Sequence, residues 1–131
     1  MKKYINLATF YLVIGLVLGV FYREFTKANG FEGQTILGST HTHVLVLGFL
    51  FYLIVLVLEK CFQISEVKHF TKWLVFHNVS LIYMLGTLIA RGVMQVIGTD
   101  FAGLSHIAGL SHAMLGVSLV WFVIIVNKSI K

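Results

Sequence analysis

The sequence predicts an all-α integral membrane four-helix bundle, a single domain over residues 1–131 with both termini in the cytoplasm. Three observations carry this. Hydrophobic residues make up 58% of the chain and charged residues only 11%, whereas a soluble domain carries about 25% charged residues. Four apolar runs, near 4–22, 36–58, 73–90 and 104–126, are each long enough to cross roughly 30 Å of hydrocarbon as a helix of about 20 residues. The basic residues alternate in abundance from one connection to the next: Lys2, Lys3, Lys60, Lys68, Lys72, Lys128 and Lys131 fall on one side, and Arg23, Lys27 and Arg91 on the other. The positive-inside rule places the lysine-rich side in the cytoplasm, so the net charge of +5 reports topology and not nucleic-acid binding. Strands are not expected, because the runs are long and lack the alternation of a membrane barrel.

The first run follows Met1-Lys2-Lys3, as a signal peptide would. No small-x-small cleavage site precedes Arg23-Glu24, so it reads as a helix that stays. Tyr4, Ala8, Tyr11, Gly15, Gly19 and Tyr22 share one stripe, and Gly15-x-x-x-Gly19 permits close approach of a helix or a flat ligand. In the second run, spacings of four, three and four put His41, Leu45, Gly48 and Tyr52 on one inward stripe. His43 then aligns with Leu47, Leu50 and Ile54 and is expected to face lipid. The third run has a polar edge of His77, Ser80, Met84, Thr87 and Arg91. The fourth sets Ser105, Gly109, His112, Gly116 and Leu119 on one face, and His106 on another with Leu110, Ala113 and Val117. The connections at 23–35 and 91–103 face outward. No proline is present to kink any of the four.

Histidines inside a bilayer are expensive to keep and mark function. Ala102-Gly103-Leu104-Ser105-His106 is echoed as Ala108-Gly109-Leu110-Ser111-His112. A shift of six turns the helix by about 120°, and His41 and His43 stand about 160° apart, so neither pair chelates one metal from one helix. Pairing between helices depends on depth. At 1.5 Å per residue, His41 and His43 lie roughly 9 and 6 Å outward of their helix centre, His112 roughly 3 Å outward and His77 roughly 7 Å inward. His41 or His43 can therefore meet His112, whereas His41 and His77 cannot pair.

Two neutral imidazoles on facing helices suit the iron of a porphyrin, and four-helix bundles host cofactors this way. Gly48, Gly109 and Gly116 beside the histidines would leave room for the macrocycle. The outward cations Arg23, Lys27 and Arg91 would meet its propionates. A covalently attached haem would need Cys-x-x-Cys-His, and the single cysteine, Cys61, rules it out. The expected cofactor is therefore haem b, with His41 and His112 as the iron ligands and His43 as the alternative to His41. Simpler readings stand beside this. His106 reads as solvated at the interface and His69 as a loop residue. His77 suits a second cofactor, a pairing with Tyr11 or a proton relay, and the simpler role for His112 is a structural hydrogen bond across helices. Cys61 is a bystander, Met84 and Met114 are packing residues, and glycine stripes by themselves mean helix packing.

His41-Thr42-His43 with the apolar run to Gly48-Phe49 resembles the second helix of the haem–copper oxidase catalytic subunit, where a histidine near the outer end binds the low-spin haem. The likeness covers this stretch alone and registers on either histidine. More of the chain is similar to a family of small four-helix bacterial membrane proteins known as a domain of unknown function. Its hallmarks are Gly19-Val20-Phe21-Tyr22-Arg23-Glu24-Phe25-Thr26-Lys27, His41-Thr42-His43 and Gly109-Leu110-Ser111-His112. That resemblance implies a bacterial plasma-membrane location, the fold and haem binding more than a reaction. The chain has no copper-site histidine pair and only four helices, so oxygen reduction is not implied.

The expected function is thus a membrane haem protein, acting in electron transfer or in haem sensing and buffering. Its partners would be the lipid bilayer, haem itself, and a quinone or redox protein. A homo-oligomer is compatible with so small a bundle. Two other classes are carried forward: a proton or non-haem metal pathway lined by His41, His77, Tyr11 and Arg91, and a structural subunit of a larger complex. The apolar runs hold no carboxylates, which weakens metal transport.

Overall fold

The computed structural model describes residues 1–130, so Lys131, counted above with the lysine-rich side, lies outside the described residues. Four helices long and apolar enough to cross a membrane account for almost all of it: α1 (Lys2–Ala28), α2 (Leu37–Phe62), α3 (Phe70–Ile97) and α4 (Ala102–Ser129). Each overruns its expected apolar span, because nothing in the flanking sequence breaks the helix where hydropathy falls. α1 continues through Arg23 and Glu24 to Ala28, and stops where Gly30 turns left-handed (φ 57°) and Phe31 N–H reaches back to the Thr26 carbonyl. α3 likewise passes Arg91 and stops at Gly98 (φ 78°), with Thr99 N–H bonded to Met94 O. Both are glycine stops of the Schellman kind. At the opposite end a 3₁₀ turn, Ile64–Glu66, buries Ile64, and the Glu59 carboxylate accepts from the Ser65 amide and hydroxyl.

α1 packs along α2, α3 packs along α4, and the N-terminal end of α2 lies on α3. Gly92 makes that last contact: a Cβ there would come within 2.5 Å of Leu37 Cγ. Tyr4, Ala8, Tyr11 and Gly15 are buried on α1, and His77, Ser80, Met84 and Thr87 on α3, so both expected stripes are inward. The outer surfaces carry Val13, Val17, Val20, Ile54, Val57, Val79, Val117, Val120 and Val123. Such an apolar surface is compatible with contact with hydrocarbon.

In α2 and α4 the stripes differ from expectation. Residues Leu45–Leu50 wind as a π-helix. A π turn takes one more residue than an α turn, so everything outward of it is displaced by one position, or about 100°. The central stripe therefore runs Thr40, Val44, Gly48, Tyr52 in place of His41, Leu45, Gly48, Tyr52. In α4 the packed face is Leu104, Ala108, Ser111, Leu115, Ser118, Phe122 and Ile125, leaving Gly109, His112 and Gly116 exposed. Serine supplies the small packing residues there: Ser111 bonds Ala108 O and Thr87 Oγ1 across the α3–α4 seam.

Candidate functional site

The displaced register decides where the helix-2 histidines point. With Thr40 at the centre, His41 is turned about 100° to one side and His43 about 60° to the other. His41 faces α1, where a Cβ on Gly19 would lie 3.7 Å from its Cδ2, and its Nδ1 is buried without a partner among the described residues. His43 faces α4, and its ring stands 6.2 Å from that of His112, nearly perpendicular at 85°. The structure thus sets His43, the alternative on this helix, and not His41, beside His112. The expectation that His43 faces lipid is corrected.

The two rings share one hydrogen-bonding pattern. His43 Nδ1 lies 2.8 Å from the Ser39 carbonyl, and His112 Nδ1 lies 2.8 Å from the Ala108 carbonyl, each four residues back on its own helix. A carbonyl only accepts, so each Nδ1 carries the proton and each neutral ring keeps its lone pair on Nε2. Neither Nε2 has a hydrogen-bond partner among the described residues. This is the arrangement that metal-binding histidines show, in which the second nitrogen is tied to a carbonyl and so fixes tautomer and ring direction. The separation fits as well. Two imidazoles bound through bonds of about 2 Å on opposite sides of one metal have ring centres roughly 6 Å apart. An edge-to-face aromatic pair has similar spacing, so the paired Nδ1–H···O=C bonds carry the distinction.

The remaining predicted residues divide. Gly109 and Gly116 flank His112 on α4, and a Cβ on either would meet nothing within 4 Å, so the surface around the ring is open. Gly48 is not open. A Cβ there would lie 2.5 Å from Tyr11 Cγ, so its space belongs to Tyr11 and not to a macrocycle. Arg91 is half-buried and its Nε sits 3.7 Å from Asp100 Oδ2. Its neighbour one turn inward, Thr87, bonds Ser111, which adjoins His112 in sequence. Arg23 is exposed, 3.9 Å from Glu24, on the helix that packs against the His41 side of α2, so the structure does not bring it to the pair. His106 and His69 are exposed.

His77 is fully buried, between Phe51, Tyr52 and Trp73. Its Nδ1 lies 3.0 Å from Ser118 Oγ, and its Nε2 lies 3.4 Å from the Leu47 carbonyl in the π turn. Trp73 Nε1 donates to Ser118 O alongside it. Both nitrogens are thus used, and His77 is a cross-brace. The sequence marked His77 but gave no sign of Ser118, a serine like several others in α4. Nearby, Tyr11 donates to Asn78 Oδ1 and stacks on Tyr52. Among the described residues no group of three or more His, Cys, Asp or Glu comes together.

Residues 1–129 match a family described as protein of unknown function, DUF2871. No curated protein and no solved structure matches the chain, so the likeness to the oxidase helix rests on those few residues alone.

Proposed function

The chain belongs to the DUF2871 family, and we propose that it is a multi-pass protein of a bacterial plasma membrane that binds haem b through His43 and His112. The observation that carries this is the matched pair of imidazoles, 6.2 Å apart across α2 and α4 with both Nδ1 atoms tied to backbone carbonyls. Two donors are too few for a bare structural metal, which takes four protein ligands. They suffice for a metal that brings four nitrogens of its own. When bound, haem would be held by His43 and His112 and would supply one-electron chemistry. The protein's residues hold and orient: Ser39 and Ala108 carbonyls aim the two rings, Gly109 and Gly116 leave the face beside His112 clear, and Arg91 offers a cation for carboxylates at the outward end. Because this face lies on the outside of the bundle, His43 and His112 would hold haem where it could exchange with the surroundings. The reading is therefore haem handling or buffering, with electron exchange through a quinone or a redox protein as the alternative use.

Absorbance spectra of the detergent-purified protein, oxidised and dithionite-reduced, after haemin titration, test it. The expected result is a saturable Soret band with split reduced α and β bands. They persist in His41→Ala and are lost in both His43→Ala and His112→Ala. No saturable change on adding haemin would overturn the proposal, and loss in His41→Ala with retention in His43→Ala would return the ligand to His41.

A further inference from the structure

His43 and His112 stand on helices whose backbones scarcely meet each other, yet their rings are held at a defined separation. Among the buried side chains of α3 that touch both helices, Trp73 meets the ring of Phe51 and Ser118 O, and His77 hydrogen-bonds to both helices at once. His77 on α3 reaches the Leu47 carbonyl of α2, four residues inward of His43, and the Ser118 hydroxyl of α4, six residues inward of His112. At 1.5 Å per residue these anchor points lie about 6 and 9 Å below the two rings. The α2 anchor is specific to the π turn. Its i→i+5 pattern leaves backbone groups without their α-helical partners, and a buried carbonyl needs a donor. His77 supplies that donor through Nε2–H and accepts from Ser118 through Nδ1. Phe51 stacks on its ring at 4.5 Å, and Trp73 fixes Ser118 from the other side.

We infer that His77 is the positioning residue for the ligand pair: it sets the gap and the rotation between the two ligand-bearing helices without touching the ligand. The inference rests on the haem reading above, and it makes His77 a spacer and not a second ligand or a proton relay. Leucine at this position removes both bonds at similar volume, whereas glutamine keeps a donor and an acceptor.

The experiment compares wild type, His77→Leu, His77→Gln and Ser118→Ala, each loaded with haemin in detergent. Readouts are the spin state of the bound haem and its reaction with carbon monoxide. Wild type is expected to be low-spin and inert to carbon monoxide. His77→Leu should lose the low-spin spectrum and bind the gas, His77→Gln should recover much of the wild-type spectrum, and Ser118→Ala should lie between. A purely stabilising role would lower haem occupancy but leave the spectrum of the loaded fraction unchanged. That outcome would overturn the inference. Should His77→Leu fail to fold, Ser118→Ala alone carries the comparison. A haem-free arm separates the two claims. With Cys61→Ser, His43→Cys and His112→Cys combined, cross-linking by a short thiol-reactive reagent reads the gap directly. It should slow when His77→Leu is added and recover with His77→Gln. If wild type binds no haem, the functional reading falls and this arm still decides the spacer. Unchanged cross-linking then refutes it.

Discussion

The two halves of the bundle are built on different terms. Toward the lysine-bearing end the interior is closed: Tyr4, Ile64, Phe70 and Trp73 are fully buried, and Trp73, Phe51 and Phe122 pack ring against ring beneath His77. Toward the opposite end the α2–α4 face is open, with His112, Gly109 and Gly116 exposed and His43 half-covered. The difference shows where order comes from. His43 and His112, the ligands proposed here, contribute little packing of their own, and on the inference above they are positioned by the half that does. Stability and ligand binding should therefore separate under mutation.

The largest effect expected is at the closed end. Trp73→Ala deletes a buried indole and its hydrogen bond to Ser118 O, and should cost about 3–5 kcal/mol, measured as thermal or denaturant unfolding in detergent. His112→Ala should stay within about 0.5 kcal/mol in the same haem-free assay while abolishing the haem spectrum. Equal destabilisation by the two would erase the contrast. The glycines sharpen it further. Gly48→Ala pushes a methyl against the root of the Tyr11 ring and should cost about 1–3 kcal/mol. Gly109→Ala and Gly116→Ala have clear space and should be neutral to unfolding, whereas Gly109→Leu and Gly116→Leu should weaken haemin binding in titration. The smallest effect belongs to Arg23→Ala. Its 3.9 Å contact with Glu24 is exposed on both sides, and such pairs contribute roughly 0–1 kcal/mol, so unfolding and haemin titration should both match wild type.

Much of this architecture is legible from residue order. Apolar length gives four helices, and the stripes from Tyr4 to Gly15 and from His77 to Thr87 follow from an α-helical period, because α1 and α3 keep that period throughout. Which helix-2 histidine stands beside His112 is not legible in the same way. Counting back from Tyr52 by threes and fours lands on His41, and only the π turn at Leu45–Leu50 moves the count to Thr40 and brings His43 round to α4. Nothing in Leu45-Val46-Leu47-Gly48-Phe49-Leu50 announces that winding. What accompanies it is Tyr11 seated on Gly48 and His77 beneath Leu47, contacts between residues far apart in the chain. The packed face of α4 is hidden for a different reason: glycine and histidine stand out in the sequence, but the small residues that pack are Ser111 and Ser118, and Gly109 and Gly116 border the surface.

The π turn has a further consequence for how α2 tolerates change in length. A helix that absorbs one residue in a widened turn becomes longer without turning its two halves relative to each other, which is the imprint an insertion leaves when the faces on both sides are kept. Removing one residue at the solvent-free but lipid-exposed Val46 would restore plain α winding from Thr40 to Tyr52 and leave His43 directed at α4. A deletion at Ile54, below the widened turn, has no slack to draw on and would turn Val55 and the rest of the helix about 100° relative to the half that carries the histidines, so the two halves could no longer both keep their neighbours. Within one helix, the same edit is absorbed at one site and disruptive two turns away.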